Sequence, residues 1–322
     1  MHSIGPNPIH NALLITIVSV GCAPIKGRVD SGTATQPGLD DPTARMWTRA
    51  GAWYPEDPNT LDRTVQALLD DTGASRQGRA RALLTPHAAL SYSGAVAAEA
   101  WARVEVPESI IILAPSHWDE GEPLAIWTEG PWLVPGHAIQ IDRSLTTRLA
   151  ELDPTLVSDR AAFDHHEVEM NLPFLQAANP DAHITVVSYR DNQDWTFLNM
   201  DLAQIEAAGQ AVAQAVRERE AEGDDVMLLI TTDLTHYQPR TVADRDDPAM
   251  LDLIATLDVE GLYTTVREQH MTICGEVPAA VGMVALRELG VGSFDMTTRD
   301  TSDRVTGDPT DVVGYPAGVV LR

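Results

Sequence analysis

The sequence has very little positive charge. It contains 22 lysine and arginine residues against 47 aspartate and glutamate residues, which gives a formal charge of −25, and Lys26 is its single lysine. A nucleic-acid-binding surface needs clustered cationic side chains to neutralise phosphates. The composition therefore excludes a nucleic-acid partner, and the acidic excess predicts a well-solvated surface.

The sequence is also poor in cysteine and in long apolar runs. Cys22 and Cys274, its two cysteines, stand about 250 residues apart, so the fold does not depend on a disulfide framework. The apolar run Ala12–Gly21 spans about ten residues, roughly half of what a membrane-crossing helix needs. We therefore predict no transmembrane span.

Residues 1–22 have the pattern of an export leader. The apolar run ends in Ser19-Val20-Gly21-Cys22, which resembles a bacterial lipoprotein box with Cys22 as the lipidated residue. Residues 23–45 have the small, polar composition of a linker. We expect an exported protein with a lipid anchor at Cys22, and a cytoplasmic protein is the alternative.

Residues 46–322 alternate between short β-rich runs and longer amphipathic or alanine-rich runs. This alternation is typical of a single α/β domain with a mostly parallel central sheet flanked by helices. The clearest predicted strands are Ala80–Leu84, Ile110–Leu113, Ile184–Ser188 and Met227–Thr231. The predicted helices are Leu61–Asp71, Gly94–Val104, Leu145–Glu151, Glu167–Ala177, Leu202–Glu222, Pro248–Leu257, Val259–Gln269 and Pro278–Leu289.

Three of the predicted strands run directly into segments that contain histidine. The first leads to His87, the second to His117, and the last to Asp233 and His236. A lone histidine after a strand is usually an ordinary loop residue. Ligands of open α/β sheets, however, bind beyond the carboxyl ends of the strands. We therefore expect these four side chains to meet in one crevice.

A further cluster runs from Asp164 to Met170. It resembles the zinc-protease motif His-Glu-x-x-His, but Met170 stands where the second histidine must be, so that motif is excluded. His166 and Glu169 would instead lie on neighbouring turns that face the crevice. The alternative is the capped N-terminus of an acidic helix.

Two more segments precede predicted helices. Cys274 lies just before a predicted helix, where the helix dipole favours a thiolate. Beside neutral histidines it would complete a His/His/Cys metal site. The alternative is that Cys274 is a buried small apolar residue. Tyr92 and Ser93 precede the helix predicted from Gly94. Ser93 either caps that helix or marks amide groups that bind an anion.

Seven segments, in this order, resemble the Memo family, whose bacterial and archaeal members are called AmmeMemoRadiSam system protein B. They cover the chain from about residue 47 to its end and include every candidate named above except Cys22. The segments are Ala52-Trp53-Tyr54-Pro55, Pro86-His87-Ala88 with Ser91-Tyr92-Ser93-Gly94, Pro115-Ser116-His117, His166-Glu167-Val168-Glu169-Met170-Asn171-Leu172-Pro173, Thr232-Asp233-Leu234-Thr235-His236-Tyr237, Thr272-Ile273-Cys274-Gly275 and Val313-Gly314-Tyr315-Pro316-Ala317-Gly318.

The resemblance implies a fold similar to that of class III extradiol dioxygenases, which are non-haem iron enzymes. It also implies that the metal ligands are His87, His117 and Cys274 and that Asp233 and His236 line the same pocket. A thiolate in place of a carboxylate makes the site softer. We expect one transition-metal ion, iron or copper, with zinc as the alternative.

The working hypothesis is a redox enzyme, similar to an oxidase or dioxygenase, that acts on an unidentified small molecule or peptide. His236, oriented by Asp233, would move protons. His166, Glu169, Tyr92 and Ser93 would surround the metal site or contact the substrate. Two alternatives stay open: a non-catalytic module that binds a peptide or an anion in the same crevice, and a zinc-dependent hydrolase.

Overall fold

A mixed sheet with helices on both faces forms the centre of the computed structural model, which describes residues 38–117, 120–164, 166–190 and 200–322. The described strands are β1 Gly78–Thr85, β2 Val104–Glu105, β3 Ser109–Ser116, β4 Leu124–Ile126, β5 Trp132–Val134, β6 His137–Ile141, β7 His183–Arg190, β8 Val226–Thr231, β9 His236–Gln238, β10 Asp295–Thr301 and β11 Val312–Leu321. The described helices are α1 Pro58–Asp71, α2 Leu90–Trp101, α3 Arg143–Leu152, α4 Leu172–Ala178, α5 Leu202–Ala221, α6 Arg240–Ala255, α7 Val259–Gln269, α8 Glu276–Glu288 and α9 Asp303–Thr306.

The centre of the sheet is parallel and its edges are antiparallel. The strand order is β10-β11-β1-β8-β3-β7-β6-β5, and the neighbours from β1 to β6 pair in parallel. Strand β11 pairs antiparallel with β1 and β10 on one side, and β5 pairs antiparallel with β6 on the other. The predicted α/β fold with a mostly parallel centre is confirmed.

Successive residues of the central strands point to opposite faces of the sheet, as the pleat of a strand requires. In β3, Ile110 and Ile112 pack with α1, α2 and α4, whereas Ile111 and Leu113 pack with α3 and α5 to α8. Both faces of the sheet are therefore buried, which explains the continuous apolar runs in the sequence.

The body begins earlier than the sequence indicates. Residues 38–45, predicted as the end of the linker, belong to the same compact unit as the sheet, and Arg45 is buried with its amide donating to Pro131 O over 2.8 Å. The predicted leader, residues 1–22, and its Cys22 lie outside the described residues. Within the described part of the chain, each helix is too short or too polar to cross a membrane.

The sequence places the four predicted strands correctly and α7 with its observed bounds, but three helices differ from their predicted bounds by four or more residues at one end. Helix α2 begins at Leu90 instead of Gly94 and ends at Trp101, because Val104 joins β2. Helix α6 begins at Arg240, so Pro248 lies inside it. Its acidic first half is stabilised by tertiary ion pairs, such as that between Arg299 and Asp247, which a local pattern does not reveal.

The third difference shapes the crevice. The helix predicted over Glu167–Ala177 is a single 3₁₀ turn, Glu169–Asn171, followed by α4. Residues 166–168 are turn residues. The side chains of His166, Glu167 and Glu169 therefore do not follow the spacing of an α-helix.

Candidate functional site

Three predicted residues meet at the carboxyl edge of the central sheet. His87 follows β1 and His117 follows β3, both of which neighbour β8 in the sheet, and Cys274 lies just before α8. His87 Nε2 is 3.4 Å from His117 Nε2 and 3.2 Å from Cys274 Sγ. One ligand atom from each of the three residues lies within 4.8 Å of the other two. The predicted convergence of His87, His117 and Cys274 is confirmed.

His87 is held at both its backbone and its ring. Its amide donates to Asp233 Oδ1 over 2.9 Å, and its Nδ1 lies 2.9 Å from Thr231 Oγ1. Burial lowers the pKa of His87 well below its ordinary value, and the neighbouring His117 lowers it further. The imidazole is therefore neutral near pH 7, with Nε2 directed at His117 and Cys274.

Cys274 is buried. Its Sγ accepts a hydrogen bond from the Asp233 amide over 3.1 Å. The next residue has to be glycine, because a Cβ at Gly275 would lie 2.5 Å from the Cβ of Thr232. The Gly275 amide instead donates to Thr232 Oγ1 over 2.9 Å, which ties the cysteine segment to the end of β8.

His236 and Asp233 lie in the same region but not in the predicted relation. The Nδ1 of His236 is 2.7 Å from Leu234 O and 2.9 Å from Thr272 O, so it carries a proton and donates to backbone carbonyls. These carbonyls, and not the Asp233 carboxylate, orient the ring. Burial lowers the pKa of His236 to about 4. Burial also raises the pKa of Asp233 to about 7, with a further increase from the charge of Glu167.

His166 lies in the crevice as predicted, but Glu169 does not. The ring of His166 is 6.0 Å from those of His87 and His117 and packs on Trp53 at 4.3 Å, measured between centroids. The Glu169 carboxylate binds the Arg45 guanidinium and accepts from Tyr54 Oη over 2.6 Å. The prediction for Glu169 is wrong because the 3₁₀ turn directs this side chain to the N-terminal segment of the body.

Glu167 is the site residue that sequence reasoning missed. It is fully buried, and its Oε1 lies 3.5 Å from His117 Nε2 and 3.8 Å from His166 Nδ1. The sequence signal for Glu167 is its position beside His166. A helical spacing instead predicts that Glu169, three positions after His166, faces the crevice. In this turn, the adjacent side chains of His166 and Glu167 lie on the same side of the backbone, whereas an α-helix would point them in different directions.

Ser93 lacks both of the roles predicted for it at a helix start. It lies inside α2, its amide donates to Ala89 O over 3.0 Å, and its hydroxyl donates to Ala88 O over 2.9 Å. It therefore neither caps the helix nor offers an amide to an anion. Tyr92 is 41% exposed and lines a groove of about 500 Å³ together with Trp53, the residue that packs on His166.

The described residues thus form an α/β protein with a His/His/Cys cluster beyond the parallel strands of its sheet. The family model "Memo-like protein" matches residues 45–319. The chain belongs to the Memo-like family.

Curated relatives from the MEMO1 family align with this chain over most of their length. A MEMO1 family protein of Methanothermobacter thermautotrophicus is 31% identical over 83% of this chain and 96% of its own. One of Methanococcoides burtonii is 31% identical over 86% and 99% of the two chains. One of Aquifex aeolicus is 28% identical over 84% and 97%.

Proposed function

We propose that this protein binds a transition metal through His87, His117 and Cys274 and uses it in redox chemistry. The observation that carries the proposal is the spacing of the three side chains. Ligands at the bond lengths of a tetrahedral nitrogen and sulfur site stand about 3.3 to 3.6 Å apart. The separations of 3.4 Å between the imidazoles and 3.2 Å between His87 and the thiol are close to this spacing.

The surroundings of the cluster also fit a metal. A metal-bound histidine usually donates its other ring N–H to a neighbouring oxygen, and Thr231 Oγ1 lies in that position against His87 Nδ1. The amide of Asp233 donates to the sulfur, which favours its thiolate form. Burial keeps His87 neutral, as a ligand must be.

We propose iron or copper as the metal, because a thiolate with two imidazoles makes a soft site, and zinc as the alternative. A bound iron or copper ion would supply electron transfer beside an open face, as in the class III extradiol dioxygenases whose fold this family resembles. His236 would move protons through Nε2, because its Nδ1 proton is committed to Leu234 O and Thr272 O. The substrate would be a small molecule or a peptide in the groove beside Trp53.

Zinc-dependent hydrolysis is the second candidate function. Two histidines and a cysteine with an open position are able to activate zinc-bound water. The low pKa of His236, about 4, keeps this ring neutral near pH 7 and able to accept a proton. A module that binds an anion at the Ser93 amide is not supported, because this amide donates to Ala89 O inside α2.

The binding proposal is tested with Co²⁺, whose bond to a thiolate produces a charge-transfer absorption band in the near ultraviolet. We expect wild-type protein to show this band and to bind one copper(I) ion under anaerobic conditions. Cys274→Ala should lose the band and most of the copper(I), with an unchanged circular dichroism spectrum. Cys22→Ala is the matched control and should behave as wild type. Stoichiometric copper(I) in Cys274→Ala would refute the ligand assignment.

Export and lipidation are proposed on the leader sequence, residues 1–22. We expect protein expressed with its leader to be recovered in the membrane fraction and to incorporate labelled palmitate. Cys22→Ser should abolish both results. Equal labelling of the two proteins would contradict an anchor at Cys22.

A further inference from the structure

We propose that the crevice holds a second metal position, formed by His117, His166 and Glu167, which takes hard divalent cations such as Mn²⁺. Two imidazoles and one carboxylate are a ligand set suited to these ions. This position goes beyond the function proposed above, because its ligand set does not include Cys274.

The geometry of the three side chains supports the position. One ligand atom from each of them lies within 4.8 Å of the other two. Glu167 Oε1 is 3.5 Å from His117 Nε2 and 3.8 Å from His166 Nδ1. Nitrogen and oxygen ligands with bonds of about 2.1 Å stand roughly 3.0 to 3.4 Å apart at octahedral or tetrahedral angles. The two separations exceed the upper end of this range by only roughly 0.1 and 0.4 Å.

Charge and burial point to the same conclusion. The Glu167 side chain is fully buried, and a buried carboxylate is costly unless hydrogen bonds, a cation or a metal compensate its charge. The carboxylate oxygen Oε1 faces two imidazole nitrogens, which are metal ligands in their neutral form. A divalent cation between these three groups would bind the carboxylate through its charge and the imidazoles through their lone pairs.

The position is also preorganised. His166 packs its ring on Trp53 at 4.3 Å, which limits rotation of the imidazole. Two residues after Glu167, the carboxylate of Glu169 is bound by Arg45 and by the Thr48 amide over 2.9 Å. The turn that carries Glu167 is therefore fixed at its end, and little conformational entropy remains to be lost when a cation binds.

The two positions share one atom and therefore exclude each other. His117 Nε2 lies 3.4 Å from His87 Nε2 and 3.5 Å from Glu167 Oε1. An imidazole nitrogen has one lone pair and binds one ion. The softness of the ion decides which position is filled: the thiolate position takes copper(I), and the carboxylate position takes Mn²⁺.

The test measures Mn²⁺ binding by equilibrium dialysis and electron paramagnetic resonance. Cys274→Ala should bind one Mn²⁺. Adding Glu167→Gln to this variant should weaken Mn²⁺ binding about tenfold or more, while Glu167→Asp, which keeps the carboxylate, should retain part of it. Asp62→Asn is the matched control, because Asp62 is paired with a single histidine, His137, at 2.9 Å outside the crevice. It should not alter Mn²⁺ binding.

Thermal unfolding without metal shows whether each variant is folded, and wild-type protein provides a test without substitution. Anaerobic addition of copper(I) to the Mn²⁺-loaded wild type should release one Mn²⁺ for each copper bound. Unchanged Mn²⁺ affinity in folded Glu167→Gln, or simultaneous binding of one ion of each kind, would overturn the proposal. Absence of the thiolate-to-cobalt band in wild type would instead refute the Cys274 site and leave Mn²⁺ binding intact.

Discussion

Two buried clusters of this protein contain glutamates that are two residues apart in the chain. In the anchor cluster, formed by Arg45, Tyr54 and Glu169, the carboxylate binds a guanidinium and a phenol hydroxyl. In the crevice cluster, which is centred on His117 and contains Glu167, the carboxylate faces imidazole rings. Both glutamates are fully buried.

The difference lies in what the neighbours of each carboxylate are able to donate. A guanidinium keeps its charge and its protons at all relevant pH values, so the anchor cluster is complete as a structural element. A neutral imidazole offers a lone pair from one of its two nitrogens, which is the basis of the metal position proposed in the crevice cluster. We therefore expect changes in the anchor cluster to alter stability and changes in the crevice cluster to alter metal affinity.

The largest expected effect is on folding, in Glu169→Gln. Removing one partner of a buried ion pair leaves the Arg45 charge uncompensated, which costs about 3 kcal/mol of unfolding free energy. Urea denaturation measures this loss. Glu99→Gln, at the partly exposed pair with Arg103, is the control and should cost less than about 0.5 kcal/mol. Equal losses in the two variants would show that the anchor cluster has no special role.

A smaller effect, on metal and not on folding, is expected from Thr231→Val. This variant removes the oxygen that lies 2.9 Å from His87 Nδ1. Outer partners of metal-bound histidines contribute about 10- to 100-fold to affinity, so copper(I) or zinc should bind more weakly by that factor. Competition with a chelator measures the change. An unchanged metal affinity in a folded Thr231→Val variant would contradict the assignment of His87 as a metal ligand.

Tyr54→Phe should destabilise the protein by about 1.5 kcal/mol, because it removes one hydrogen bond to the Glu169 carboxylate. The lost bond is the 2.6 Å contact from the Tyr54 hydroxyl. Urea denaturation gives the free energy, and copper(I) binding should stay within error of wild type. If Tyr54→Phe lost metal but kept its stability, the anchor cluster would affect metal binding and not folding, contrary to the expectation.

The smallest effect concerns pH. Burial raises the pKa of Glu169, but the charge of Arg45 and the hydrogen bonds from Tyr54, Arg45 and Arg49 outweigh burial, so the pKa lies below its ordinary 4.5. Because the folded pKa is the lower one, the stabilisation is complete above about pH 4.5 and is lost as the pH falls through the folded pKa.

The pH effect is measured as the difference in unfolding free energy between wild type and Glu169→Gln. This difference should be constant from pH 7 to about 5 and should shrink at lower pH. A difference that grows on acidification would mean that Glu169 is protonated in the folded protein at neutral pH.

Much of the fold and half of the site follow from local patterns. Apolar runs and amphipathic periods predict four of the described strands and most of the described helices. The histidines after β1 and β3 are predicted to converge because parallel strands end at one edge. Cys274 was predicted from its place before α8 and from the resemblance to the Memo family. These residues are found together, with His87 in contact with both others.

The rest depends on contacts between distant residues. The carbonyls that orient His236 come from Leu234 and from Thr272, which is 36 positions further along the chain. Whether Glu167 or Glu169 faces the histidines depends on a 3₁₀ turn. That turn is stabilised from outside, through the Arg45 contact with Glu169. No helical period in the sequence contains this information.

From the acidic composition, the shortage of lysine and the two separate cysteines, the sequence predicts neither a nucleic-acid partner nor a disulfide framework. The alternation of strands and helices and the residues after the strands determined an α/β fold with candidate site residues at one edge of the sheet. Only the tertiary structure decided which buried glutamate stabilises the fold and which faces the crevice. Neighbouring glutamates are alike in sequence, and the donors packed against each carboxylate distinguish them.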